Sequence, residues 1–263
     1  MRVLLAIDGS ADGNAAAELL LGLDPSSGIM AMVLAVAPTL PLLGSDLEAP
    51  PGIEADDEID VARAIVDITC ERLRAAGHDA TPMVRRGNPV EEILAAGRET
   101  AADVIVLGSR GVGRLRRLLV GSVASSVARL AEAPVLLVSD PAALATALIA
   151  VDGSSGSERA IETFRSMPPS ALDRAILLHV GSAAPAPQVF EPALAAMRDS
   201  GVDVTQQTAH GNEVDEILRV ADEEQVSVIV IGASLNRVDG EPLLGTTANG
   251  VINRASCSIL IGR

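Results

Sequence analysis

The amino-acid sequence contains two copies of one unit. Residues 104–108, VIVLG, match residues 228–232, VIVIG, at an offset of 124 residues. The pair Gly121-Ser122 matches Gly245-Thr246 at the same offset. A repeat of this kind indicates a duplicated structural unit, so the fold assigned to one half has to serve the other half as well.

The start of each copy gives a second measure of the repeat. Residues 6–10, AIDGS, match residues 150–154, AVDGS, at an offset of 144 residues. The two offsets differ by 20 residues, which places an insertion of that size in the first copy between Val36 and Gly87. Within this insertion, residues 37–53 are rich in proline and glycine and predict a long loop beside the end of the second strand.

Short apolar runs alternate with helical patterns through both copies. In the first copy, runs rich in valine, leucine and isoleucine predict buried parallel strands at 3–7, 30–36, 80–85, 104–107 and 135–138. Helical patterns lie between them at 11–21, 56–76, 89–100 and 122–130. The alternation predicts an α/β fold with two tandem, open, doubly wound parallel-sheet domains at residues 1–140 and 145–263. Because the linker is short, we expect the domains to pack as an internal pseudo-dimer.

Composition excludes several classes of function. Aromatic residues make up 1% of the chain and the net charge is −15, which disfavours both base stacking and contact with nucleic-acid phosphates. No apolar run approaches the roughly 20 residues that span a membrane, and the first residues lack the apolar core of a signal peptide. We therefore expect a cytoplasmic protein that binds neither nucleic acid nor membranes. Cys70 and Cys257 match no metal or redox spacing, and we expect small buried residues at both positions.

A glycine-rich segment follows the apolar run 104–107. Its pattern is G-x2-G-x9-G-S, formed by Gly108, Gly111, Gly121 and Ser122. Glycines let a backbone approach a ligand closely, and the start of a helix presents unpaired N–H groups and a positive dipole end. These features suit a phosphate group, and Arg110 adds a cation nearby. The pattern predicts a nucleotide site in the first copy, although glycines that serve only to turn the chain would produce the same sequence pattern.

The glycine pattern, continued by Val123 and Ala124, resembles the ATP-binding signature of the universal stress protein family. The resemblance extends over the whole chain and implies a Rossmann-like fold related to that of the adenine nucleotide alpha hydrolases. It also implies that the aspartate after the first strand and its neighbours line the adenosine part of the site. The site residues expected from the loop and the resemblance together are Ala6, Ile7, Asp8, Val36, Leu107, Gly108, Arg110, Gly111, Gly121, Ser122, Val123 and Ala124.

The resemblance implies an ATP-binding regulatory protein of the stress response, in which the nucleotide changes a surface that protein partners recognise. The chain contains no lysine, which excludes a P-loop motif, and we expect at most slow ATP hydrolysis. Two alternatives stay open: a nucleotide-free interaction scaffold, and a hydrolase of a related adenine-nucleotide fold. The sequence also leaves open whether ATP or ADP is bound, whether Mg²⁺ accompanies it, and whether the tandem chain forms a homodimer.

The second copy departs from the glycine pattern. Leu235 stands where the middle glycine should be, and a side chain there disfavours positive φ and fills the phosphate space. Arg237 stands beside Asp239 and Glu241, and carboxylates repel a triphosphate. We predict that the first copy binds nucleotide and that the second copy binds it poorly or not at all.

Overall fold

The computed structural model describes residues 1–38, 55–109, 120–140, 144–167, 172–181, 187–198, 201–233, 237–238, 241–242 and 244–263. Within these ranges the side chains of 55–56, 187, 237–238 and 241–242 are not described. Several sequence predictions therefore fall outside the described residues. They are the loop from residue 39 onward, Arg110, Gly111, Leu235 and Asp239, and the side chains of Arg237 and Glu241.

Strands and helices alternate along the first half, as predicted. In chain order they are β1 (Arg2–Ala6), α1 (Ala11–Leu21), β2 (Met30–Pro38), α2 (Ala55–Ala75), β3 (Asp79–Gly87), α3 (Pro89–Glu99), β4 (Val104–Gly108), α4 (Ser122–Leu130) and β5 (Val135–Val138). A short 3-10 turn, Pro25–Ser27, lies between α1 and β2.

The second half repeats the same order with small additions. Its elements are β6 (Thr146–Ala150), α5 (Ser155–Ser166), β7 (Arg174–Val180), α6 (Glu191–Met197), β8 (Asp203–Ala209), α7 (Glu213–Glu223), β9 (Val228–Gly232), β10 (Arg237–Val238), β11 (Glu241–Pro242), α8 (Thr246–Arg254) and β12 (Ser258–Gly262). A 3-10 turn, Pro187–Val189, precedes α6, and β10 pairs with β11 apart from the main sheet.

Both halves contribute to one 10-stranded sheet, in the order β3-β2-β1-β4-β5-β12-β9-β6-β7-β8. Neighbouring strands are parallel within each half, whereas β5 and β12 pair antiparallel, with Leu136 opposite Leu260. Each half is thus a doubly wound sheet that is joined to the other through its last strand. In such sheets the strand order reverses between the first and fourth strands, here β1 and β4 or β6 and β9, and ligands bind at the carboxyl ends there.

Two apolar layers cover the two faces of the sheet. The layer that we call the front layer contains α3, α4, α7 and α8, and the back layer contains α1, α2, α5 and α6. Successive strand residues alternate between the layers, so Leu4 packs in front while Val3 and Leu5 pack behind. Both phenylalanines, Phe164 and Phe190, lie in the back layer, and the rest of the core is almost entirely aliphatic.

Among the described residues, the structure contains no helix that combines the length and the apolar character needed to cross a membrane.

Both cysteines are free thiols held within the packed structure. Cys70 is fully buried and Cys257 is partly buried. Burial raises the pKa of both thiols, that of Cys257 to about 11. Because the thiolate is the reactive form, we expect neither cysteine to react with iodoacetamide at mildly alkaline pH in the folded protein, and both to react in urea. Intact-mass spectrometry measures this directly, and rapid modification of the folded protein would show that the core opens.

Candidate functional site

The candidate site of the first half lies at the carboxyl ends of β1 and β4. Asp8 lies two residues beyond β1, and Gly108 is the last residue of β4. The Gly121 N–H donates a hydrogen bond to the Ser109 carbonyl oxygen at 2.8 Å. This bond brings the start of α4 beside the end of β4, so both described ends of the glycine-rich segment meet at the same edge of the sheet.

The start of helix α4 lacks a side-chain cap. Side-chain oxygens cap α1, α3, α5 and α7, whereas α4 and its equivalent α8 have the glycine N-caps Gly121 and Gly245 and no side-chain cap hydrogen bond. The first N–H groups of a helix have no acceptor within the helix, so those of α4 have neither a helical acceptor nor one from the N-cap side chain. Ser122, the first helical residue, is exposed beside them. Anions bind helix N-termini through groups arranged in this way.

Asp8 forms a tight turn just beyond the carboxyl end of β1, at the edge of this site. Its Oδ1 accepts a hydrogen bond from the Ser10 N–H at 3.0 Å, and Gly9 between them has a φ of +75°. The Ser10 hydroxyl oxygen then caps α1 by accepting from the Gly13 N–H at 3.0 Å. Asp8 nevertheless stays exposed, so its structural role leaves the carboxylate accessible to a ligand.

The apolar side chains predicted for the site divide between the two faces of the sheet. Five of its residues lie in or against the front layer: Ala6, Val36, Leu107, Val123 and Ala124. Ile7 lies in the back layer, because side chains alternate along an extended chain. The Ile7 N–H donates to the Leu34 carbonyl oxygen at 2.9 Å. The side chain of Ile7 is therefore separated from the other five, and only its backbone reaches the edge of the site.

Gly108 has a packing role that sequence reasoning did not identify. A methyl group on its α-carbon would lie 2.4 Å from the carbonyl carbon of Asp12 and 2.5 Å from the carbonyl oxygen. The end of β4 thus rests directly on the backbone of α1. The equivalent Gly232 stands in the same relation to Gly156, at 2.3 Å from its carbonyl carbon. Close strand-to-helix packing explains a glycine here in both halves, with or without a ligand.

Hydrogen bonds of Ser109 and Ser139 connect this site to the second half. The Ser139 hydroxyl donates to the Ser109 hydroxyl oxygen at 3.1 Å and also lies 3.1 Å from the Cys257 carbonyl oxygen. The Ser139 N–H donates to the Ser258 hydroxyl oxygen at 3.1 Å. Since the Ser109 carbonyl oxygen accepts from Gly121, the backbone and side chain of Ser109, together with Ser139, link the start of α4 to the β5–β12 junction.

The second half contains a cavity of about 290 Å³ at the equivalent edge of its sheet. Apolar side chains from β7, α7 and β9 form part of its wall, and hydroxyl groups from the start of α5 form another part. Its lining residues include Asp152, Ser154, Ser157, Leu178, Val180, Glu213, Ile217, Ile231, Gly245 and Thr247. None of the described residues that line it is an arginine.

Asp152 in this cavity repeats the turn that Asp8 makes in the first half. Its Oδ1 accepts from the Ser154 N–H at 2.9 Å, and Gly153 has a φ of +76°. Burial raises the pKa of the Asp152 carboxyl, but hydrogen bonds from Ser154 and Ser157 more than offset this, and the pKa lies below its usual value. The carboxylate is therefore ionised at neutral pH.

Glu213 and Thr247 are cavity residues that the sequence analysis missed. Glu213 is the first residue of α7, and the Thr247 hydroxyl donates a short hydrogen bond to its carboxylate. At the repeat offset of 124, the first half has Pro89 and Val123 in their places. The alignment of the two copies could have identified this pair, because two apolar residues of the first copy are both replaced by polar residues in the second copy.

Comparison with known proteins agrees with the repeated architecture. Residues 1–139 and 188–263 match the family model of the universal stress proteins. The chain belongs to the universal stress protein family. This family membership and the order of the sheet together support two tandem units of the Rossmann-like kind.

Curated universal stress proteins match this chain over single units. One from Thermus aquaticus, encoded in the QAH/OAS sulfhydrylase 3' region, is 32% identical over 142 residues, which are 52% of this chain and 96% of that protein. Universal stress protein YxiE of Bacillus subtilis (strain 168) is 35% identical over 74 residues, which are 28% of this chain and 50% of YxiE. The chain thus matches half the length of YxiE and almost all of the Thermus protein.

Among solved structures, a universal stress protein from Archaeoglobus fulgidus DSM 4304 matches this chain from end to end. Its TM-score is 0.76 at 22% sequence identity, and the alignment covers 100% of this chain and 96% of that one. At this identity the likeness concerns the fold, and it extends over both units of the tandem.

Proposed function

We propose that the first half of this universal stress protein binds ATP at the carboxyl ends of β1 and β4 and acts as a regulatory module rather than as an efficient enzyme. The observation that carries the proposal is the start of α4, where the N-cap Gly121 gives the first N–H groups no side-chain cap hydrogen bond and completes the glycine pattern. Helix α8 starts in the same way, but Leu235 replaces the middle glycine of its pattern. In this family member the first N–H groups of α4 would receive the phosphates, because a helix N-terminus favours an anion both by hydrogen bonding and by its dipole.

The remaining residues of the site fit the adenosine part of the ligand. Val36 and Val123, which are partly buried, offer aliphatic surface to an adenine ring at the front face of the sheet, and Leu107 is buried in the same layer. Asp8 offers an exposed carboxylate to the ribose hydroxyls. Within the described part of the chain, no three His, Cys, Asp or Glu side chains are grouped to hold a metal ion, and we assign no protein ligand to Mg²⁺.

The proposed regulation uses the serine link between the site and the β5–β12 junction. A phosphate bound at α4 would act on Gly121, whose N–H donates to the carbonyl oxygen of Ser109, and the hydroxyl oxygen of Ser109 accepts from the Ser139 hydroxyl. Ser139 in turn contacts the second half at Cys257 and Ser258. A nucleotide that binds one arrangement of these hydrogen bonds more tightly would shift the population of surfaces that the protein presents to its partners. The proposal places the protein in the cytoplasm, where ATP is available.

Isothermal titration calorimetry of the full chain with ATP tests the proposal. We expect saturable binding of one nucleotide per chain, because only the first half keeps the complete glycine pattern. An incubation of the complex with excess ATP should release products at no more than a slow rate. Absence of binding at millimolar ATP would favour the nucleotide-free scaffold. Multiple-turnover release of AMP and pyrophosphate would instead favour the hydrolase.

A further inference from the structure

The cavity of the second half has a different chemical character from the site of the first half. Its start-of-helix segment carries Ser155 and Ser157, whereas the first half has Ala11 and Gly13 at the repeat offset of 144. Ser157 is 5% exposed, and its hydroxyl donates to the Ser154 carbonyl oxygen at 3.0 Å. The start of α5 therefore carries two hydroxyl groups that the start of α1 lacks.

The exchange of Pro89 and Val123 for Glu213 and Thr247 adds a carboxylate to the cavity wall. The two new side chains hydrogen-bond to each other, with the Thr247 hydroxyl as donor. This bond uses one lone pair of the Glu213 carboxylate and restrains its position, while the remaining acceptor sites stay available to a ligand. A positioned carboxylate at the mouth of a cavity favours ligands with N–H donors and positive charge.

Asp152 supplies a second carboxylate in the same cavity. Its hydrogen bonds with Ser154 restrain it in the turn after β6. Leu178, Ile217 and Ile231 contribute aliphatic carbon to the cavity wall. A ligand matched to these walls has an apolar body and a charged donor group. Glu213, which stands where the first half has Pro89, is the carboxylate that distinguishes this cavity from the proposed ATP site, and it would repel a phosphate group.

We infer that the cavity of the second half binds a small organic cation, a primary amine on a compact apolar body, and does not bind a phosphorylated nucleotide. The inference rests on the cavity, its two carboxylates and its aliphatic wall. It stands independently of ATP binding in the first half.

Titration of the full chain with isoamylamine at low ionic strength tests this inference. Isoamyl alcohol, which has the same apolar body and no positive charge, is the matched ligand. We expect saturable binding of the amine by calorimetry, much weaker binding of the alcohol, and loss of amine affinity as salt screens the carboxylates. Equal affinity for amine and alcohol would overturn the inference, because the carboxylates would then contribute nothing.

Glu213→Gln and Asp152→Asn locate the binding site. Each substitution removes one charge but keeps an oxygen that accepts the local hydrogen bond, so the turn and the Thr247 contact are retained. We expect each to weaken amine binding about tenfold. Glu91→Gln is the matched control, since it removes the same charge at the start of α3 in the first half, and it should leave amine affinity unchanged. Wild-type affinity in both cavity variants would place the amine elsewhere.

Competition separates this inference from the proposed function. ATP at saturating concentration should not displace the amine, because the two ligands occupy different halves. Displacement by ATP, or a stoichiometry of two ATP per chain, would overturn the inference and assign the second cavity to nucleotide. Conversely, amine binding that persists in a chain that fails to bind ATP would leave the inference intact and remove only the proposed function.

Discussion

Replacing Gly121 with valine is expected to abolish ATP binding while lowering the free energy of unfolding by only about 1 kcal/mol, because valine is a poorer N-cap than glycine. Gly121 has a φ of −61° and a ψ of 153°, a conformation that valine adopts without strain. The new side chain would stand at the N-cap of α4, beside the N–H groups proposed to hold the phosphates. We expect the dissociation constant for ATP, measured by calorimetry, to rise about 100-fold or more, since several charge-assisted hydrogen bonds would be lost together.

The second half offers a matched control for this substitution. Gly245 is the N-cap of α8, with a φ of −57° and a ψ of 158° and no side-chain cap hydrogen bond. Gly245→Val therefore imposes the same change on the same backbone geometry, and we expect it to leave ATP affinity at the wild-type value. Unchanged affinity in Gly121→Val would count against the loop assignment. Equal losses in both variants, with lowered melting temperatures, would point to damage to the fold instead.

The order of strands and helices was predictable because the core strands are continuous apolar runs. β4, predicted at 104–107, ends one residue later at Gly108, and α2, predicted at 56–76, spans Ala55–Ala75. The larger differences lie at the edge of the sheet. β2 continues past the predicted end at 36 to Pro38, because Ala37 and Pro38 pair with Arg86 and Gly87 of β3. Such pairing between distant segments leaves no mark in local periodicity.

The candidate site was predictable only in part. The periodicity identified the ends of β1 and β4 and the start of α4, and the bond between Gly121 and Ser109 brings these ends together. The alternation of strand side chains sets Ile7 apart from Ala6, which a resemblance of motifs does not reveal. Glu213 was missed because it lies at the start of a helix, outside the altered glycine pattern of the second copy.

Replacing Gly108 with alanine is expected to lower the free energy of unfolding by about 3 kcal/mol. The added methyl group would lie 2.4 Å from the Asp12 carbonyl carbon, which belongs to the backbone of α1. A backbone atom cannot rotate away as the end of a side chain can, so α1 and β4 would have to move apart and weaken the packing around them. Urea unfolding followed by circular dichroism measures the loss.

Two further substitutions decide whether Gly108 serves packing or ligand binding. Gly232→Ala meets the Gly156 carbonyl carbon at 2.3 Å, so it should cost about as much stability although the second half is not expected to bind ATP. Gly22→Ala is the control, because its nearest neighbour would lie 3.6 Å away and its φ is −79°, and we expect a change within about 0.5 kcal/mol. If Gly108→Ala left stability intact and weakened only ATP binding, close packing would not be the reason for the glycine, and the end of β4 would belong to the phosphate site itself.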